Sequence, residues 1–117
     1  MNPKQIGKEK REKIYREIET IVERIACEYD PQKIILFGSC ARGYFDRDSD
    51  IDLFIIKETD RPRYERAYQV ATLLDHRLPV DIVVYTPGEV EERLSYGDFF
   101  VKEIMDEGRV LYEREDS

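Results

Sequence analysis

Ile34-Ile35-Leu36-Phe37-Gly38-Ser39-Cys40-Ala41-Arg42-Gly43, followed by Ser49-Asp50-Ile51-Asp52-Leu53, decides how this chain folds. The first half is a short, almost continuously apolar run from Lys33 to Phe37, the pattern of a strand buried on both faces. It leads into a turn with glycine on either side, where one helical turn can begin near Ser39. The second half opens another strand, Ile51 to Lys57, with Asp50 and Asp52 two residues apart. Side chains at that spacing share one face of a strand, about 6.5–7 Å apart along the chain. Ile51 and Leu53 then point the other way, into a core that fixes the acidic face.

Working outward, Ile14, Ile18, Ile21, Val22, Ile25 and Tyr29 recur at helical spacing and predict a helix from Lys8 to Glu28, closed before Asp30-Pro31. Arg61-Pro62 opens a second long helix whose buried face carries Tyr64, Ala67, Tyr68, Ala71, Leu74 and Leu78, ended by Pro79. Val80 to Tyr85 is a third strand. Thr86-Pro87-Gly88-Glu89 has the pattern of a capping box at a helix start. Asp98 caps a further helix through Asp106, with Gly108 as its stop signal, and Arg109 to Tyr112 is a last, edge strand. The order helix, strand, strand, helix, strand, helix, strand predicts an α/β (α+β) domain: a mixed sheet of about four strands with helices packed on it.

At 117 residues the chain reads as one domain spanning 1–117, its core from about 33 to 112 behind an N-terminal helix. No apolar run reaches the roughly 20 residues that span a bilayer, and the first ten residues lack the apolar segment of a secretory signal. Cys27 and Cys40 form no CxxC pair, so a cytoplasmic protein with reduced thiols is the expectation. The net charge of −7 argues against direct nucleic-acid binding, which needs phosphates neutralised by Lys and Arg. Lys4, Lys8, Lys10, Arg11, Lys13 and Arg16 concentrate the positive charge at the N-terminus, while the chain from Glu89 onward is acidic. Both read as solvated surfaces.

The carboxylates carry the chemistry. Asp50 and Asp52, on one strand face, suit a pair of Mg²⁺ ions about 3.5–4 Å apart, the arrangement used for in-line displacement at phosphorus. Mg²⁺ takes carboxylate and phosphate oxygens and keeps waters. Asp81 is the one charge in a strand otherwise committed to packing, and a carboxylate there is costly unless it is paired, hydrated or metal-bound. If its strand lies beside the 51–57 strand, Asp81 reaches the same metals. Gly38 permits close backbone approach, and Ser39 offers a hydroxyl and an amide to a phosphate. Arg42 can add charge and Gly43 can release the chain. Against each stands a plainer account: a polar strand face, a helix cap, an arginine paired with an acidic neighbour. Their ordered combination points to a metal-bound nucleoside triphosphate.

In that combination the chain resembles the polymerase-β-like nucleotidyltransferase superfamily, and more closely the minimal nucleotidyltransferases that include the MntA-type antitoxins. The resemblance runs from about Lys33 to Tyr112 and includes Val80-Asp81-Ile82-Val83-Val84-Tyr85 and the closing stretch Phe100 to Tyr112. It implies that Asp50 and Asp52 ligate two Mg²⁺ ions, that Asp81 completes a metal site and helps deprotonate the acceptor, and that Gly38, Ser39, Arg42 and Gly43 bind the nucleotide. ATP would donate AMP to a hydroxyl and release pyrophosphate. By analogy with the antitoxins, the acceptor is a tyrosine of a HEPN-domain, HepT-like toxin; the short chain leaves little room for an acceptor domain of its own. Two other functions stay open: an antitoxin that masks its partner by contact, and a small-molecule (aminoglycoside-type) nucleotidyltransferase working as a dimer. A homo-oligomer is open as well. Cys40 needs no redox role, His76 reads as an exposed surface residue, and Tyr44 and Phe45 read as loop packing.

Overall fold

The computed structural model describes residues 7–44, 50–75 and 79–115. Ser49, Phe45, His76 and Leu78 lie outside them. The elements are α1 (Lys8–Tyr29), β1 (Lys33–Phe37), a 3₁₀ turn (Cys40–Arg42), β2 (Ile51–Ile56), α2 (Arg63–Ala71), β3 (Val80–Tyr85), α3 (Pro87–Ser95), α4 (Phe99–Glu107) and β4 (Arg109–Glu113). The strands form one sheet in the order β3-β2-β1-β4. β1 runs antiparallel to both β2 and β4, and β2 pairs with β3 in parallel across the α2 crossover.

Alternation along the strands builds a core on each face. Ile34 and Leu36 of β1 and Ile51, Leu53 and Ile55 of β2 pack on Ile18, Val22 and Ile25 of α1 and Val70 of α2. Ile35, Phe54, Ile56 and Tyr85 face the other way, onto Val90 of α3 and Val101 and Ile104 of α4. Helices on both sides explain why the two central strands are apolar almost throughout.

Local signals fix the helix ends. α1 stops at Asp30, which turns left-handed (φ 52°) before Pro31. Lys57 then donates to the carbonyls of Tyr29 (2.7 Å) and Asp30 (3.3 Å), which helix geometry leaves open. The capping box at α3 forms in both directions: Thr86 Oγ1 accepts from the Glu89 N–H (3.1 Å), and Glu89 Oε1 accepts from the Thr86 N–H (2.8 Å). Asp98 caps α4 by accepting from the Val101 N–H.

α2 departs from the expectation. It ends at Ala71, tightened by a Leu73 N–H bond to the Val70 carbonyl and a Leu74 N–H bond to that of Ala71. Its predicted buried face is also turned: Tyr64 and Tyr68 are exposed, at 77% and 71%, while Arg66 and Val70 face the sheet. Arg66 is tolerated in the interior because it donates to three acceptors: the Arg61 carbonyl (2.7 Å), the Val84 carbonyl (3.3 Å) and Glu89 Oε1 (2.7 Å). A count of apolar residues along α2 has no means of detecting such a buried arginine.

Candidate active site

The sheet register brings the acidic residues together. Asp52 lies opposite Phe37 on β1 and opposite Asp81 on β3. Partners on adjacent parallel strands are about 4.8 Å apart and point to the same face. Asp50 directly precedes β2 and is exposed, as is Asp81, whereas Asp52 between them is half-buried. The Asp52 carboxyl is held above its ordinary value, first by burial, then by the charges of Asp81 and Asp50, and by a hydrogen bond with Asp81. The charges of Asp50 and Asp81 are thus both felt at Asp52.

The turn after β1 closes over this face. Gly38 adopts φ 77°, and a Cβ built there would run into the Asp52 carboxylate. Ser39 is exposed; its side chain makes no cap, and its carbonyl accepts from the N–H groups of Arg42 (3.1 Å) and Tyr44 (3.0 Å). The helical segment here is a single 3₁₀ turn, so individual amides of the turn, rather than a summed helix dipole, are what it can offer an anion. Gly43 ends the turn at φ 85°. Cys40, 1% exposed, donates its S–H to the Asp50 carbonyl at 3.4 Å. The turn is thereby tied to the start of β2, which positions Asp50.

Arg42 swings away from the carboxylates towards α4, where it pairs with Glu103 (2.9 Å) and Glu107 (3.9 Å). Between the turn and α4 lies a cleft of about 110 Å³, bordered by Gly38, Ala41 and Arg42 on one side and by Phe100, Glu103 and Ile104 on the other. Phe37 forms its inner wall and meets Phe100 edge to face, with ring centres 5.7 Å apart. Glu103, Glu107 and Phe100 are contributors that motif reading missed. Their signal was their spacing, since 100, 103 and 107 share a helix face, with Ile104 at its inner border and the buried Val101 turned to the core.

Among the described residues no three His, Cys, Asp or Glu side chains converge tightly enough to hold a metal ion by themselves. The donor chemistry nonetheless fits Mg²⁺, which is ordinarily bound by one or two carboxylates with phosphate oxygens and waters filling its remaining positions. The charges of Asp81 and Asp50, which add to burial in raising Asp52, are what a divalent cation would offset. Among the described residues, no helix is long and apolar enough to cross a membrane.

Known proteins resemble this chain in sequence and in fold. The profile of the family described as "Polymerase beta, Nucleotidyltransferase" matches residues 19–117. A Methanocaldococcus jannaschii protein described as a candidate protein adenylyltransferase is 32% identical over 83 residues, covering 69% of this chain and 78% of that protein. A crystal structure of a candidate nucleotidyltransferase from Sulfolobus solfataricus superimposes with a TM-score of 0.67, covering 96% of this chain and 94% of its own, at 24% identity. That likeness concerns the fold.

Proposed function

Because the chain belongs to the polymerase β nucleotidyltransferase family, and so is a nucleotidyltransferase, we propose that it is a Mg²⁺-dependent protein adenylyltransferase acting in the cytoplasm. The donor is ATP, and the acceptor is a tyrosine hydroxyl of a HEPN-domain, HepT-like toxin that the transfer neutralises. The observation that carries this reading is the register that sets Asp52 beside Asp81 under the Gly38 turn. Support for a protein acceptor comes from the name of the archaeal relative and from the resemblance to minimal nucleotidyltransferases.

In this reading Asp50 and Asp52, with Asp81 alongside, would hold two Mg²⁺ ions, which would supply charge neutralisation for the triphosphate. The Gly38–Ser39 backbone and the Ser39 hydroxyl hold the terminal phosphates, with Gly43 setting the turn. Arg42 contributes once a triphosphate competes with Glu103 and Glu107 for its guanidinium. The acceptor oxygen attacks the α-phosphorus and forms the new P–O bond. The bond from that phosphorus to the α–β bridging oxygen breaks, and pyrophosphate leaves with the electron pair. Asp81 receives the hydroxyl proton. Most of the rate comes from positioning and charge.

The test is α-labelled ATP with Mg²⁺ and the co-produced HEPN partner, in parallel with Asp52→Asn. A labelled partner with wild type alone supports the reading, and mass spectrometry then locates the modified residue. A partner that is neutralised equally by both proteins and never labelled overturns it in favour of masking by contact.

A further inference from the structure

Among the described residues, the outer edge of β3 is uncovered where it carries Asp81 and covered further along, at Val84. In a parallel pair, alternate residues direct both backbone groups to the neighbouring strand, and those between direct them outward. The Ile51 N–H bonds to the Pro79 carbonyl and the Lys57 N–H to the Tyr85 carbonyl, each at 3.0 Å. Residues 79, 81, 83 and 85 therefore face β2, and Val80, Ile82 and Val84 face outward. The Val84 carbonyl is occupied by Arg66 Nη1 at 3.3 Å, and Arg63 covers the Tyr85 ring at 4.4 Å. Val84 and Tyr85 are buried accordingly; Val80 and Ile82 are half-buried and Asp81 is exposed. No hydrogen bond from the described residues reaches the outward groups of Val80 or Ile82. Among the described residues the open length is thus Val80–Ile82, with Asp81 at its centre.

Resting on the acceptor assignment above, we infer that this edge receives the acceptor protein as a short added strand, with the hydroxyl-bearing residue opposite Asp81. Three relationships favour such an occupant. An added strand lies about 4.8 Å from β3, and its residue opposite Asp81 points to the face shared by Asp50, Asp52 and Asp81. In antiparallel pairing this residue occupies a non-hydrogen-bonded position, where Cα atoms approach to about 4.5 Å and side chains are closest. Its two neighbours exchange backbone bonds with Val80 and Ile82. The three carboxylates favour basic residues two positions to either side of the hydroxyl-bearing residue, which share its face. The opposite edge, β4, is two strands from β2 and has no such access to Asp52. The inferred substrate class is therefore a tyrosine in an extended, locally unpaired segment with basic residues two positions to either side, not one on the face of a helix.

A nine-residue peptide, acetyl-Lys-Thr-Lys-Val-Tyr-Val-Lys-Thr-Lys-amide, tests this at millimolar concentration with α-labelled ATP and Mg²⁺. Two further versions carry N-methyl groups, one on both residues flanking the tyrosine and one on the tyrosine itself. Antiparallel addition predicts that methylating the flanks lowers labelling about tenfold, because two edge hydrogen bonds are lost, while methylating the tyrosine amide changes it little. The reverse pattern also supports the edge, with parallel addition. Equal labelling of all three overturns the inference, as does an unlabelled peptide when the chain labels a protein acceptor. Failure to label any acceptor overturns the adenylyltransferase reading itself.

Discussion

Gly38 has no side chain at the one point where a side chain would occupy the space of the Asp52 carboxylate. Its backbone also sits at φ 77°, where residues with a Cβ are strained. Two separate demands thus meet at this glycine, and only one of them concerns the carboxylates.

Gly43 separates the two demands, because at φ 85° it meets nothing within 4 Å of a built Cβ. Gly43→Ala should cost about 1–2 kcal/mol of stability, from backbone strain alone, and lower nucleotidyl transfer only through the turn it sets, by less than Gly38→Ala does. Gly38→Ala carries the same strain and also displaces Asp52. A misplacement of the order of 1 Å lowers rate about a hundredfold, so its transfer rate should fall by at least that factor. Denaturant melts and initial rates on both variants check the contrast.

Asp52→Asn should remove activity, by about a thousandfold or more, while stabilising the metal-free protein. Burial, Asp81 and Asp50 all raise the Asp52 carboxyl from its ordinary 3.8. A raised folded value means that Asp52 favours the fold below 3.8 and loses that contribution as pH rises through the raised value. In EDTA the variant should therefore gain on wild type as pH increases through that window. Saturating MgATP should reverse the order at neutral pH: at a hundred times its dissociation constant a ligand adds about 2.7 kcal/mol, and only wild type should show the full increase. Thermal melts with and without MgATP read both effects.

How much of this was legible in the sequence follows from how local each cause is. β1 and β3 lie where their apolar runs predict, Lys33–Phe37 and Val80–Tyr85, because a buried strand bounded by turn residues is written in consecutive positions. The Thr86–Glu89 capping box is equally local. α2 was misread because Arg66 is buried by acceptors at Val84 and Glu89, 18 and 23 residues away. The candidate site divides in the same way. The spacing of Asp50 and Asp52 is a local pattern, but their adjacency to Asp81 depends on sheet order. The engagement of Arg42 by Glu103 depends on a helix 61 residues further along. Nothing near Arg42 announces it.

The two cysteines should differ in reactivity, as Cys27 is exposed and Cys40 is buried. Iodoacetamide should add one group to the native protein and a second only in denaturant, as mass spectrometry will show. Cys40→Ala should cost about 1 kcal/mol for the lost packing and S–H bond. Transfer should fall but persist, since the Asp50 carbonyl loses one tether and the carboxylate itself remains.

Glu89 should show a pH dependence opposite to that of Asp52. Burial pushes its carboxyl up, but the hydrogen bonds from Arg66 and the Thr86 N–H, with the charges of Arg66 and Arg63, outweigh this and hold it below its ordinary 4.5. A lowered folded value contributes stability that is present above 4.5 and is lost as pH falls through the folded value. Glu89→Gln keeps an oxygen for the Thr86 N–H but leaves Arg66, 7% exposed, without its counter-charge. Stripping a buried ion pair of one partner costs about 3–5 kcal/mol, and the one-third exposure of Glu89 brings the expected loss to about 2 kcal/mol. That loss should be full at neutral pH and shrink as pH drops below 4.5, because wild type then gives up the same interaction. Tyr64→Ser and Tyr68→Ser on the same helix should each stay within about 0.5 kcal/mol of wild type, as exposed substitutions do. If instead the tyrosine variants are costly and Glu89→Gln is silent, α2 presents its other face to the sheet, and the cover over the far end of the β3 edge is not the one described.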